Sequence, residues 1–158
     1  IVAWMDPSYA DSLEAVKEVA KVYDEIAAKL KEQDMVVGYH AHGGDFKKIG
    51  DEFAWDLFFA STCDDVVMQM DLGNCLEAGG DPIASLKRFP GRSRTIHLKE
   101  AGGPETAVIG EGTVDWKEAF SICESTGGTQ WYIVEHEEGH APMESVQQCV
   151  KNLRKMGK

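Results

Sequence analysis

Apolar residues in this chain alternate between two rhythms. Five short, nearly continuous runs, Ile1–Met5, Met35–Tyr39, Val66–Met70, Thr95–Leu98 and Trp131–Val134, have the length and density of strands buried on both faces. Between them the apolar positions fall three and four apart. Leu13, Val16, Ala20, Tyr23, Ala27 and Leu30 make one such stripe, and Ile83, Leu86 and Phe89 a second. Ala119, Phe120 and Cys123 make a third, and Met143, Val146, Val150 and Leu153 a fourth. Glu52–Ser61, carrying Phe53, Trp55, Phe58 and Phe59, predicts a further short helix with an aromatic face.

Punctuation agrees with the rhythm. Asp11 with Glu14 predicts a capping box for the first helix, and Asp115 with Glu118 repeats it. Asp81-Pro82 sets a capping side chain before a proline at the first helical position, and Pro142 opens the last helix. Lysines and arginines gather near the ends of the first and last helices, where the helix dipole favours them. Gly43-Gly44, Pro90-Gly91, the glycine-rich stretch 101–112 and Gly127-Gly128 read as loops. The order β-α-β-α-β-α-β-α-β-α predicts a parallel sheet covered by helices. By alternation alone, an open doubly wound sheet and part of a barrel fit equally well.

Composition narrows the field modestly. With 158 residues the chain is one domain or a piece of one. Its net charge of −11 argues against nucleic acid as a partner. No apolar run approaches the ~20 residues a bilayer span needs, so no membrane is expected. Cys63, Cys75, Cys123 and Cys149 are scattered with no CxxC pair, which reads as reduced thiols of an intracellular, cytoplasmic protein. The chain opens without Met in an apolar segment, so the natural N-terminus, with any targeting signal, is expected to lie upstream.

Chemistry concentrates where strands end. The second run leads into His40 and His42, the third into Asp71, the fourth contains His97 and then Lys99, and the fifth leads into Glu135. His40, Asp71, His97 and Glu135 are separated by 31, 26 and 38 residues, the lengths of successive βαβ units. The C-terminal ends of parallel strands are where such folds build their sites. Two imidazoles and two carboxylates make a mixed nitrogen and oxygen set that suits a transition-series divalent ion better than calcium. Each has a plainer role to weigh: His97 as a hydrogen-bonded core residue, Asp71 as a turn cap, Glu135 as part of a solvated Glu-His-Glu-Glu cluster, and Lys99 as a surface lysine at a loop start.

The runs Gly38-Tyr39-His40-Ala41-His42, Met70-Asp71-Leu72-Gly73, Ala78-Gly79-Gly80-Asp81-Pro82, His97-Leu98-Lys99, Gly110–Trp116 and Tyr132-Ile133-Val134-Glu135 appear in order along nearly the whole chain. Together they resemble the sugar phosphate isomerase/epimerase family, the xylose isomerase-like TIM barrels related to inosose dehydratase, ketose 3-epimerases and zinc-dependent apurinic endonucleases. The resemblance implies an α/β fold, a (β/α)8 TIM barrel of which residues 1–158, as a single domain, supply about five βα units matching strands four to eight. Two open sheet edges then follow, closed by an absent N-terminal segment, a partner, or assembly into a homo-oligomer.

The resemblance also implies one divalent metal ion (Mn, Zn, Co, Fe or Mg). Asp71, His97 and Glu135 fall on the family's ligand positions. A fourth ligand, often a Glu in the epimerases, falls near His40. That departure puts a two-carboxylate epimerisation mechanism in doubt, and His40 is read as a ligand and His42 as a substrate contact. The expected activity is metal-assisted enolisation of a sugar or cyclitol, with Glu135 or a histidine as base and Lys99 donating to a substrate oxygen. Isomerisation, epimerisation and dehydration share that step. Two alternatives stand beside it: a phosphodiesterase of the apurinic-endonuclease type, which needs more ligands and a DNA partner, and a non-catalytic barrel remnant serving binding or assembly. Trp116 is expected to pack at its helix start, and Glu111 to belong to an ordinary loop.

Overall fold

The computed structural model describes residues 1–3, 7–137 and 142–158. In chain order its elements are β1 (Val2–Ala3), α1 (Leu13–Lys31), β2 (Gly38–His40), β3 (Lys48–Ile49), β4 (Glu52–Phe53), α2 (Ala54–Ser61), β5 (Val67–Gln69), α3 (Leu72–Glu77), α4 (Pro82–Arg88), β6 (Thr95–Leu98), α5 (Trp116–Ile122), β7 (Trp131–Val134) and α6 (Pro142–Lys155). The expected first strand is met only as β1, because residues 4–6 lie outside the described residues.

Pairing decides what alternation left open. β1 pairs with β2, β2 with β5, and β6 with β7, all parallel. The Met68 N–H donates to Arg92 O at 2.8 Å, the His97 N–H donates to Met70 O at 2.9 Å, and Asp71 bridges His97 in parallel, so β5 and β6 are also neighbours. The major strands thus stand in chain order with no reversal. A doubly wound sheet reverses its order at a switch point, whereas a (β/α) barrel wall does not. The wall is an arc here: among the described residues β1 and β7 each pair on one side only. The outer strands carry exposed apolar side chains, Trp131 at 68% and Val2 at 40%.

The strands are short because each needs to span only the core thickness, and one face alternates strictly with the other. Tyr39, Met68, Ile96 and Leu98 point into the helix layer, all within 1% of full burial. There Tyr39 sits among Tyr9, Tyr23, Trp55 and Phe58, with ring centroids 5.6–6.2 Å apart and most pairs edge-to-face, as ring quadrupoles favour. Arg92, 4% exposed, pins this layer by donating to Val66 O and Phe59 O. No described helix is long and apolar enough to cross a membrane.

Several expectations need correction. Ser12, not Asp11, caps α1: its hydroxyl accepts from the Ala15 N–H, while Asp11 pairs with Lys47 at 2.7 Å. A serine at that place satisfies the same orphan amide. Leu13 is exposed, as the first turn of α1 overhangs the core. Glu52 and Phe53 do not start a helix: with Lys48 and Ile49 they form a two-residue hairpin turned by Gly50 at φ +65°. In α6 the buried residues are Cys149 and Leu153, while Met143, Val146 and Val150 are exposed, because nothing described packs against that face. Caps at Asp81 and Asp115 are as expected, accepting from the Ala84 and Glu118 amides. All four cysteines are free, three of them buried.

Candidate metal and active site

The strand ladder itself brings the candidate residues to one level. His40 lies opposite Gln69, and the Ala41 N–H donates to Gln69 O. Asp71 lies opposite His97, and the Glu135 N–H donates to Leu98 O. Because side chains alternate, Ala41, Met70, Leu98 and Val134 turn toward the helices while His40, Asp71, His97 and Glu135 turn to the opposite face. A one-residue register slip in any strand would send its ligand into the helix layer.

His40, Asp71, His97 and Glu135 each present one nitrogen or oxygen atom, and these atoms all lie within 4.8 Å of one another. His40 Nε2 is 3.9 Å from Glu135 Oε2, and His97 Nδ1 is 4.0 Å from Asp71 Oδ2. His97 Nδ1 and Glu135 Oε2 are in hydrogen-bond contact. Asp71 is fully buried. Its Oδ1 accepts from the Asn74 N–H at 2.7 Å, capping α3, but its Oδ2 has no hydrogen-bond partner among the described residues. A buried carboxylate oxygen without a donor is costly unless a cation or proton meets it. Two imidazoles, two carboxylates and that orphaned oxygen fit a divalent ion of the Mn, Fe, Co or Zn type.

Electrostatics follow from burial. Burial pushes the Asp71 carboxyl up to about 7; the Asn74 amide opposes the shift and the Glu135 charge adds to it. Burial, then the neighbouring His97 and His42, pushes His40 down to about 4, so it is a neutral ring with a free lone pair near pH 7. The contact with His97 holds Glu135 below the ordinary glutamate range.

The other two residues singled out in the sequence stand beside this cluster. His42 packs edge-on against His40 with centroids 4.6 Å apart, its Nδ1 3.2 Å from His40 O, and is not one of the four converging groups. Lys99 Nζ donates to Asn74 Oδ1 at 2.9 Å, pairs with Glu137 and lies 3.7 Å from Glu135 Oε1. Burial pulls the Lys99 ammonium down, but the Glu137 contact and the nearby Asp71 and Glu135 charges outweigh it, and it stays above the usual lysine range. Glu111 accepts from the Val108 N–H within its own loop, and Trp116 is 6% exposed, packing at the start of α5.

Asn74 escaped the sequence reading. Its Nδ2 donates to Ala41 O at 3.0 Å and its Oδ1 accepts from Lys99, so one side chain ties the ends of β2 and β6 to the Asp71 turn. Its position three residues after a strand-ending Asp was the available signal. Gly73 explains the close fit: a Cβ there would lie 2.7 Å from Lys99 Cγ and 2.8 Å from Glu100 O.

A pH-dependent metal effect follows. In the metal-free fold, an Asp71 pushed up from 3.8 to about 7 makes stability fall as pH rises between those values, because the native state holds a proton the unfolded chain releases. A divalent ion relieves that cost where Asp71 is ionised. The melting-temperature rise on adding Mn²⁺ or Zn²⁺ is therefore expected to be larger at pH 7.5 than at pH 5.5, on the order of 2.7 kcal/mol of stabilisation at 100 times Kd. Equal shifts at the two pH values, read by thermal denaturation with and without a chelator, would contradict it.

Known proteins place this fold. The Xylose isomerase-like TIM barrel family profile matches residues 1–156. Inosose dehydratase of Clostridium tetani is 25% identical over 155 residues, covering 85% of this chain and 51% of that protein. A crystal structure of a sugar phosphate isomerase/epimerase from Parabacteroides distasonis superposes with a TM-score of 0.82 at 23% identity, over 98% of this chain and 58% of that one. The IOLI protein with a bound zinc atom superposes at 0.67 with 15% identity, over 95% and 59%. The chain thus spans about half the length of the relatives it matches. An unreversed parallel wall, with its polar cluster at the strand ends and a family match along almost its whole length, makes this chain a member of the xylose isomerase-like TIM barrel family.

Proposed function

We propose that this protein is a divalent-metal-dependent isomerase, epimerase or dehydratase of a sugar or cyclitol. The observation that carries the reading is the convergence of His40, Asp71, His97 and Glu135 at the strand ends, with Asp71 Oδ2 buried and unpartnered. Those four side chains would hold the ion. When bound, a divalent ion supplies Lewis-acid polarisation of a carbonyl and its neighbouring hydroxyl. Support for the ion also comes from the zinc of one structural neighbour, and support for the substrate class from a relative named inosose dehydratase.

The chain's own groups supply the remaining chemistry. Glu135, kept ionised by His97, is the base that takes the proton from the carbon beside the carbonyl. Lys99, held by Asn74 and Glu137, donates to the oxygen on which charge develops. His42, beside neutral His40, contacts a substrate hydroxyl. Returning the proton to another atom or face gives isomerisation or epimerisation, and losing a β-hydroxyl gives dehydration.

Elemental analysis of purified protein, followed by assays of inosose dehydration and ketose 3-epimerisation with Mn²⁺, Co²⁺ or Zn²⁺, tests the proposal. About one equivalent of metal and chelator-sensitive turnover are expected. Metal-free protein that stays metal-free on reconstitution and turns over neither substrate would refute it.

A further inference from the structure

Beside Lys99 and Glu135 opens a polar cleft of about 210 Å³, and its far wall is the loop that follows β6, from Gly102 to Ala107. That loop has no strand or helix of its own between Leu98 and Trp116, so something else must fold it. Glu100 does. Its carboxylate accepts from the Ala101 N–H at 3.0 Å, the Gly110 N–H at 2.7 Å, the Val114 N–H at 3.2 Å and the Trp116 indole N–H at 2.9 Å. Four donors spread over sixteen residues of chain therefore converge on one side chain. The chain passes directly over it: a Cβ at Gly112 would lie 2.3 Å from Ala101 O and 2.6 Å from Glu100 Cγ. Carboxylate acceptors bind such donors about twice as strongly as neutral ones.

We infer that Glu100 is a positioning residue: by gathering these donors it shapes the loop into the cleft wall that a substrate meets next to Lys99 and Glu135. The functional part of this assignment rests on the cleft's being the substrate site of the proposed reaction. Glu100 is not one of the converging metal-site groups, so its loss should loosen the wall and leave the ion in place.

The test compares wild-type protein with Glu100→Gln, which keeps the shape but sets an amide against N–H donors, and with Trp116→Phe, which removes one donor. Expected in Glu100→Gln are roughly 10-fold or faster amide exchange at Gly110 and Val114 and a shifted Trp116 indole NMR resonance, the scale of one charged hydrogen bond lost. Mn²⁺ affinity, measured with the metal alone, should stay within about 3-fold. With inosose as probe, KM should rise about 10-fold while kcat holds within about 3-fold. Unchanged exchange, an unmoved indole signal, a parallel loss of Mn²⁺ affinity, or a loosened loop with unaltered KM would each overturn the assignment. Trp116→Phe should reproduce the faster exchange to a smaller degree, and no change in exchange would count against the clamp. If wild-type protein does not turn over inosose, the activity reading fails, and the exchange, indole and Mn²⁺ arms still decide the role of Glu100.

Discussion

Replacing Asp71 with Asn is expected to abolish stable metal binding while leaving the fold intact and, without metal, more stable. The carboxylate is fully buried and one of its oxygens faces His97 with no donor. Asn74 donates its backbone amide to the other oxygen, and an asparagine Oδ1 can accept that bond equally well, so the α3 cap survives. What is lost is a negative charge at the centre of the cluster. Affinity for Mn²⁺ should fall by more than the roughly 10- to 100-fold that loss of an outer-shell partner costs. Turnover should vanish with it. The same change removes an ionisation that burial opposes, with the Asp71 carboxyl pushed up to about 7. At pH 8 the metal-free variant should therefore unfold later than metal-free wild type, by up to about 4 kcal/mol on the 1.36 kcal/mol per unit scale. Titration calorimetry and chelator-treated melts read the two effects separately. Metal content equal to wild type in the variant would remove Asp71 from the site.

Glu135→Gln should separate binding from chemistry. A glutamine keeps an oxygen for the ion but cannot take a proton at neutral pH. Loss of a positioned base costs typically 10²- to 10⁴-fold in turnover, and the fall is expected in kcat. Weaker but measurable Mn²⁺ binding should persist through His40, Asp71 and His97. If the variant kept turnover within about 3-fold of wild type, base catalysis by Glu135 would be excluded, and His42 beside His40 would become the candidate to replace next.

These predictions draw on different amounts of sequence. The five apolar runs announced the five wall strands, because each strand must turn apolar side chains such as Tyr39, Met68, Ile96 and Leu98 to the helix layer. Asp81-Pro82 and Asp115 announced helix starts, because an orphan amide asks for a side-chain acceptor within three residues. The caution over Asp71 was sound in an unexpected way: it is both a helix cap and a member of the cluster, one oxygen for each. Less legible was anything set by distant partners. Asp11 is a good cap on paper, yet it ends the turn Pro7–Asp11 and pairs with Lys47, and Ser12 is the residue that meets the orphan amide. The apolar stripe of α6 pointed to Met143, Val146, Val150 and Leu153, yet of these Leu153 alone is buried, beside Cys149, since a helix face is buried only where something lies opposite. Glu100 had no signature, and Asn74 only its spacing from Asp71, because a hydrogen-bond hub is defined by what surrounds it.

By itself, then, the chain determined the alternation of strand and helix, the acidic balance and the chemical types waiting at the strand ends, all of which are local and written in period and spacing. Tertiary structure alone decided that the strands run in unreversed order and in a register that turns His40, Asp71, His97 and Glu135 to one face within 4.8 Å. Register is a relation between segments tens of residues apart. It is fixed by which backbone amide meets which carbonyl, and no single segment carries that information.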